Sequence, residues 1–103
     1  MVFVESAVFT RQVRGLLNDE EYAGLQWHLA LYPKAGEVIQ GTGGLRKVRW
    51  AGAGGGKRGG VRVIYFHALS QSQVRLLLIY RKGVKDDLSG AEKKVLRQLN
   101  ENW

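Results

Sequence analysis

The chain has 103 residues, 45% of them hydrophobic, and its 16 Lys and Arg against 9 Asp and Glu leave a formal net charge of +7. This length and composition predict a single folded domain covering residues 1–103 rather than two domains or a disordered chain. Cysteine is absent and the two histidines lack metal-ligand spacing, so we expect no disulfide, no metal and no cofactor. No stretch approaches the ~20 apolar residues that span a bilayer, and we expect a cytoplasmic protein with no membrane partner.

The N-terminal third predicts one short strand and two helices. Residues 2–4 are β-branched or aromatic and indicate a strand, and Ser6 is a typical helix N-cap. Apolar side chains then recur at helical spacing over residues 7–17. Asn18 with Glu21 three positions later forms a capping-box pattern, so a second helix starts here and ends before Pro33.

After Gly36 the hydrophobic period changes from helical to alternating. A brief strand is predicted at residues 38–39 and longer strands at 45–51, 61–69 and 74–81, with a polar turn between the last two. Ser89 begins another capping box and predicts a final helix from about residue 90 to the end. The predicted fold class is α+β: two N-terminal helices pack on one face of a twisted antiparallel sheet, the other face stays open, and a C-terminal helix follows.

The positive charge is concentrated in one part of the chain. Between Glu37 and Asp86 there are ten Lys or Arg residues and no Asp or Glu. An uncompensated basic surface of this kind is typical of proteins that bind a polyanion, and we expect RNA or DNA.

Within that stretch, residues 52–60 are rich in glycine, and two interpretations are open. The segment is a passive flexible linker, or it is an arm that carries Lys57 and Arg58 over a ligand. It does not fit a Walker-type phosphate loop, because Arg58 stands where the hydroxyl residue is needed and a strand follows instead of a helix.

Cations and aromatic side chains on the predicted strands are the better candidates for chemistry. Arginine binds phosphate through its forked guanidinium, and unpaired bases stack on aromatic rings. Strand alternation places Lys47 and Arg49 on one side of their strand, and Tyr80 and Lys82 on one side of theirs. The alternative is that the tyrosines belong to the core and the cations to a solvated face. The strand candidates are Arg46, Lys47, Arg49, Arg62, Tyr65, Tyr80, Arg81 and Lys82.

The two histidines are weaker candidates. His28 lies in the second helix, far from the basic stretch in sequence, and we expect it to be a surface or packing residue. His67, late in a predicted strand, is a minor candidate for a catalytic base.

Four segments together resemble the RelE/ParE superfamily of type II toxin-antitoxin toxins, and above all its HigB-type branch. The segments are Gly41-Thr-Gly-Gly-Leu-Arg-Lys-Val-Arg49, Gly56-Lys-Arg-Gly-Gly-Val-Arg-Val63, Tyr80-Arg-Lys82 and Asp87-Leu-Ser89. The resemblance implies a RelE-like fold and an endoribonuclease that cuts mRNA, typically in the ribosomal A site. It also implies a cognate antitoxin, commonly of the helix-turn-helix type, through which the toxin meets operator DNA only indirectly.

A nuclease without metal ligands would most simply cut by attack of the ribose 2′-OH on the adjacent phosphate, with cations stabilising the phosphorane. The resemblance implies that Lys47 and Arg49 act as base or bind the scissile phosphate, that Arg62 stabilises the transition state, and that Lys82 protonates the leaving 5′-oxygen. As further HigB-like catalytic members we add Lys57 on phosphate and Tyr80, which orients or stacks a base. The predicted RNA-binding residues around them are Arg46, Arg58, Tyr65 and Arg81.

Two other functions remain open on the same scaffold. One is a non-enzymatic toxin that inhibits DNA gyrase, as in ParE-type relatives, which tend to lack the set of Lys47, Arg49, Arg62 and Lys82. The other is a plain RNA-binding module without turnover, whose binding would depend steeply on salt.

Overall fold

The computed structural model describes residues 1–51, 60–85 and 87–103. These residues form three α-helices and five strands, and a short 3₁₀ turn (Leu69–Gln71) joins the last two strands. In chain order the elements are β1 (Val2–Glu5), α1 (Ala7–Leu16), α2 (Asp19–Leu31), β2 (Glu37–Val38), β3 (Arg46–Trp50), β4 (Val61–Ala68), β5 (Gln73–Arg81) and α3 (Gly90–Glu101). The predicted α+β class and order of elements are confirmed.

The three helices begin where their capping residues predict. The Ser6 hydroxyl accepts a hydrogen bond from the backbone N–H of Phe9 at the start of α1. Asn18 and Ser89 each complete a capping box, with Glu21 and Glu92 respectively. These side chains satisfy backbone N–H groups that the first helical turn leaves without partners. No helix within the described ranges is both long and apolar enough to cross a membrane.

The five strands form one sheet in the order β1-β5-β4-β3-β2. Three neighbouring pairs are antiparallel, but β1 runs parallel to β5. The prediction of an antiparallel sheet is therefore confirmed for these three pairs and wrong for β1. Only strands joined by short turns are constrained to be antiparallel, and β1 meets β5 after most of the chain has intervened.

One face of the sheet, called here the α1/α2 face, is covered by the first two helices. Phe9 and Val13 of α1 pack with Leu25 and Leu29 of α2 against strand residues that include Val48, Val61, Val63, Tyr65, Val74, Leu76 and Ile79. This apolar cluster is the larger of the two that the described residues form, and its burial is the main contribution to the stability of the two helices.

The opposite face, called here the α3 face, carries a second apolar cluster. Leu88 and Leu96 pack there against Leu45, Ile64, Leu77 and Tyr80. The expectation of an open face was therefore wrong, because α3 and the segment before it cover part of this surface. The apolar side chains that β4 and β5 present there require such a cover.

A β-bulge sets which side chains of β5 share the α3 face. The register with β4 shifts between Ile64 and Tyr65, and Leu77 has no direct partner across the ladder. Leu76 belongs to the α1/α2 cluster, whereas Leu77 and Leu78 both belong to the α3 cluster. The extra residue reverses the alternation, so the last part of β5 places Tyr80 on the α3 face.

Candidate nucleic-acid interface

Arg49, Arg62 and Tyr80 form one row across three adjacent strands on the α3 face. Arg49 lies directly opposite Arg62, and Arg62 lies directly opposite Tyr80. Like charges directly opposite each other on neighbouring strands are destabilising, and the forked geometry of guanidinium matches phosphate oxygens. Two opposed arginines are therefore suited to hold an anion between them. Arg62 is already engaged in part, since one of its nitrogens lies 3.4 Å from the carbonyl oxygen of Val61.

Lys47 lies on the same face, two residues before Arg49, and is paired with an acid. Its ammonium nitrogen lies 3.3 Å from a carboxylate oxygen of Asp87, and the two side chains are 27% and 84% exposed. Across the ladder, Lys47 lies opposite Glu37 of β2. The basic surface formed by Lys47, Arg49 and Arg62 thus has two acids at its margin. These acids, Glu37 and Asp87, come from the two ends of the acid-free stretch in sequence.

Tyr80 is almost completely buried at the end of the row. Its exposed fraction is 5%, and its hydroxyl has no hydrogen-bond partner among the described residues. The ammonium group of Lys85 lies 5.5 Å from the centre of the ring. Burial raises the pKa of Tyr80; Arg62 opposes this shift, while Asp87 and Glu92 add to it. Tyr80 is therefore neutral at physiological pH, and no ring face is available for a base in this conformation.

The segment that covers Tyr80 is held by a second ion pair. The ammonium group of Lys85 contacts a carboxylate oxygen of Glu92 in the first turn of α3. Hydrogen bonds from Lys85 and from the backbone of Ser89 lower the pKa of Glu92. Lys85, Asp87 and Glu92 were not among the predicted site residues. The sequence signal that could have indicated them is the cluster of charges between the end of β5 and the cap of α3.

Arg46 and Tyr65, predicted to bind RNA, lie on the α1/α2 face instead. A guanidinium nitrogen of Arg46 donates to the carbonyl oxygen of Gly36 at 2.8 Å. Tyr65 has an exposed fraction of 0%; its hydroxyl donates to Pro33 O at 2.8 Å and accepts from Gly36 N–H at 2.9 Å. A fully buried ring cannot stack on a base in this conformation, which argues against RNA binding by Tyr65; its two hydrogen bonds fix the chain after α2.

Arg81 and His67 also lie away from the row. Arg81 is exposed and lies opposite Val61 in the ladder, and His67 lies opposite Val74. The side chains of Val61 and Val74 both belong to the α1/α2 cluster. Register therefore places Arg81 and His67 on that face, opposite to Tyr80. Neither side chain shares a surface with Arg49 and Arg62.

Lys82 follows the end of β5 and is exposed, and its backbone N–H donates to Gly60 O at 3.1 Å. It thus lies at the same end of the sheet as Arg62 and Tyr80. The predicted site residues Lys57 and Arg58 lie outside the described residues.

The described residues that the sheet brings together are thus Lys47, Arg49, Arg62 and Tyr80, with Lys82 at their margin.

No family model matches the chain. Within the described ranges, no three His, Cys, Asp or Glu side chains come together in a way that would hold a metal ion. What the surface offers chemically is positive charge, hydrogen-bond donors and one neutral phenol.

Proposed function

We propose that this chain is a cytoplasmic toxin of a type II toxin-antitoxin system, a HigB-like member of the RelE/ParE superfamily with a RelE-like fold. In this proposal it is an mRNA endoribonuclease that acts in the ribosomal A site and inhibits translation. The observation that carries the proposal is the row of Arg49, Arg62 and Tyr80, because opposed arginines on a sheet suit a phosphate diester. The motif resemblance adds the choice of RNA and of the ribosome.

The reaction would be transesterification without a metal or cofactor. The 2′-oxygen of the ribose attacks the adjacent phosphorus while its proton passes to a base. The candidate base is Lys47 in its neutral amine form; as an ammonium group the same residue binds the phosphate instead. Arg49 and Arg62 hold the non-bridging oxygens as negative charge develops in the phosphorane. The bond from phosphorus to the 5′-oxygen then breaks and Lys82 gives that oxygen a proton, leaving a 2′,3′-cyclic phosphate and a 5′-hydroxyl.

Two contacts must change for RNA to use the whole row. Asp87 occupies the ammonium group of Lys47, and Lys85 and Leu88 lie over or beside Tyr80. A phosphate would replace the Asp87 carboxylate at Lys47, because both are anions that accept charge-assisted hydrogen bonds. Contact between RNA and the Tyr80 hydroxyl requires that Lys85 and Leu88 move away from the ring.

The proposed partners are a cognate antitoxin of the helix-turn-helix type and mRNA on the ribosome, with operator DNA bound only through the antitoxin complex. The antitoxin would occlude the basic surface or hold the fold in an inactive state. These partners come from the motif resemblance alone.

The test is to express the chain in bacteria and to map the 5′ ends of cellular mRNA. We expect new ends within coding regions and arrested growth, both abolished by Arg62→Ala. The matched control is Arg11→Ala, which removes an exposed arginine of α1. Circular dichroism and thermal unfolding should show that both variants fold.

An intact transcriptome and normal growth with the parent chain would contradict the proposal. Blocked gyrase supercoiling with intact mRNA would favour the ParE-like alternative. Salt-sensitive RNA binding without new ends in the presence of translating ribosomes would favour the plain binding module.

A further inference from the structure

A polar cavity of about 370 Å³ lies at the edge of the sheet beside β3. It is lined by His28, Ala35, Glu37, Lys47, Val48 and Arg49. Strand β2 is only two residues long and pairs with Arg46 and Lys47, so in the described chain the outer edge of residues 48–50 carries no further strand. The cavity occupies this uncovered edge, and its volume falls within the ~300–1,000 Å³ typical of ligand sites.

His28, one of the lining residues, has its imidazole ring packed against two other aromatic rings. The His28 ring lies 5.4 Å from the Trp50 ring at an interplanar angle of 31°, and 5.6 Å from the Tyr32 ring. Trp50 is fixed in turn, because its indole N–H donates to Glu21 O at 2.9 Å. A side chain at Gly24 would lie 3.1 Å from the indole, so glycine leaves the room that this packing needs. Imidazole is one of the rings on which unpaired bases stack in RNA complexes.

The polar lining combines one acid with two cations. Glu37 offers carboxylate oxygens, which accept hydrogen bonds, while Lys47 and Arg49 offer only donors. A phosphate alone would be repelled by Glu37. A nucleotide suits the whole set, because its phosphate meets the cations and an exocyclic amino group of its base donates to the carboxylate. Adenine, cytosine and guanine carry such an amino group, and uracil does not.

Arg49 belongs both to this cavity and to the row with Arg62. The cavity therefore shares Arg49 with the proposed phosphate site. A nucleotide in the cavity would be a direct neighbour of a phosphate held by the row.

We propose that this cavity is a base-reading subsite, in which an unpaired nucleotide next to the cleaved phosphate stacks on His28 and donates to Glu37. The inference rests on the proposed function, since it assigns a role to the nucleotide beside the cut. It makes Glu37 a specificity-determining residue and His28 a residue that contributes affinity for any base.

Binding can be tested without cleavage by using 2′-O-methyl trinucleotides, which lack the nucleophile. The base is varied at each position in turn, and affinity and the His28 imidazole resonances are followed by NMR. At one position, we expect trinucleotides with A, C or G to bind about tenfold more tightly than the one with U. This difference in affinity corresponds to one hydrogen bond to a charged group. Glu37→Gln should bring U to within about twofold of the others, because an amide both donates and accepts. His28→Ala should weaken all four about tenfold through lost stacking.

Matched controls are Glu20→Gln and Trp27→Ala, which change an exposed acid and an exposed ring of α2 outside the cavity. Both should bind all four trinucleotides as the parent does. Equal affinity for the four bases in the parent chain, or a preference that Glu37→Gln leaves unchanged, would overturn the subsite.

Mapping of mRNA 5′ ends with Glu37→Gln separates this inference from the proposed function. We expect cuts next to U to increase relative to the parent pattern. If the parent cuts mRNA and the variant keeps the same nucleotide preference, the subsite is wrong and the nuclease stands. If the trinucleotides bind as expected while the parent never cuts mRNA, the nuclease is wrong and the subsite stands as a nucleotide-binding site.

Discussion

The ammonium nitrogen of Lys47 in β3 lies 3.3 Å from a carboxylate oxygen of Asp87, forty residues later in the chain. This contact joins the segment before α3 to the margin of the basic surface. Because the pair is largely solvent-exposed on the Asp87 side, it contributes little to stability, about 0–1 kcal/mol. Its main effect is to place a negative group where the proposed function places a phosphate.

Asp87→Asn should therefore increase affinity for a non-cleavable single-stranded oligonucleotide without lowering stability by more than about 1 kcal/mol. Releasing the Lys47 ammonium adds one phosphate contact, so the slope of log affinity against log salt should steepen by about 0.7. Fluorescence polarisation at several salt concentrations measures both effects. Asp19→Asn makes the same charge change at the start of α2 and controls for net charge. An affinity gain no larger than that of the control would contradict the proposed competition.

Tyr65→Phe should destabilise the fold and leave RNA affinity unchanged. The substitution removes the hydroxyl that bonds both Pro33 O and Gly36 N–H, and the buried backbone groups left without a partner cost about 1–3 kcal/mol. Urea unfolding measures the loss. Tyr32→Phe, on an exposed ring, is the control and should change stability by less than about 0.5 kcal/mol. A drop in RNA affinity with unchanged stability would restore the RNA-binding role that burial argues against.

The helices and the faces of β3 and β4 were accessible from sequence, because their signals are local. Caps at Ser6, Asn18 and Ser89 fix the helix starts, and β4 alternates regularly between the two apolar clusters. Strand alternation alone therefore assigns Lys47 and Arg49 to one face.

The end of β5 was less accessible, because the run from Leu76 to Ile79 is apolar throughout and shows no alternation. The bulge at Leu77 is a property of the pairing with β4, and it decides that Tyr80 lies beside Arg62. Without the bulge, simple alternation from Leu76 would put Tyr80 on the α1/α2 face. The contact of Asp87 with Lys47, and the presence of His28 and Arg49 in the lining of one cavity, likewise depend on how distant segments pack, which local patterns do not encode.

Tyr80→Phe should lower cleavage without lowering stability, whereas Tyr65→Phe should lower stability without affecting RNA binding. The Tyr80 hydroxyl is buried with no partner in the described chain, so its removal should leave stability unchanged or raise it by about 1 kcal/mol. If the hydroxyl meets RNA once Lys85 and Leu88 move, cleavage should fall at least tenfold, which corresponds to the loss of one hydrogen bond of about 1.4 kcal/mol. Primer extension on a translated message and urea unfolding provide the two readouts. Cleavage equal to that of the parent would remove Tyr80 from the proposed site.

Because burial raises the pKa of Tyr80, the free energy of unfolding should depend on pH in a direction that can be measured. The folded state holds the phenolic proton more tightly than the unfolded state, in which the group ionises near its ordinary pKa of 10.0. The stabilising contribution is therefore complete below pH 10 and is lost as pH rises above it. Unfolding free energies at high pH should fall less steeply in Tyr80→Phe than in the parent. An identical pH dependence would show that the phenol is solvated.

Glu92→Gln tests how the segment over Tyr80 is held. Hydrogen bonds from Lys85 and Ser89 lower the pKa of Glu92 below its ordinary value of 4.5, so the folded state favours the ionised form. This contribution to stability is present above pH 4.5 and is lost as pH falls below it. Glutamine keeps an acceptor for the Ser89 N–H but does not titrate, so the variant should lose stability less steeply between about pH 5 and pH 3. Urea unfolding across this range measures the slope, with Glu20→Gln on α2 as the matched acid-to-amide control. A slope equal to that of the parent would mean that the hydrogen bonds from Lys85 and Ser89 do not lower the pKa of Glu92 in solution.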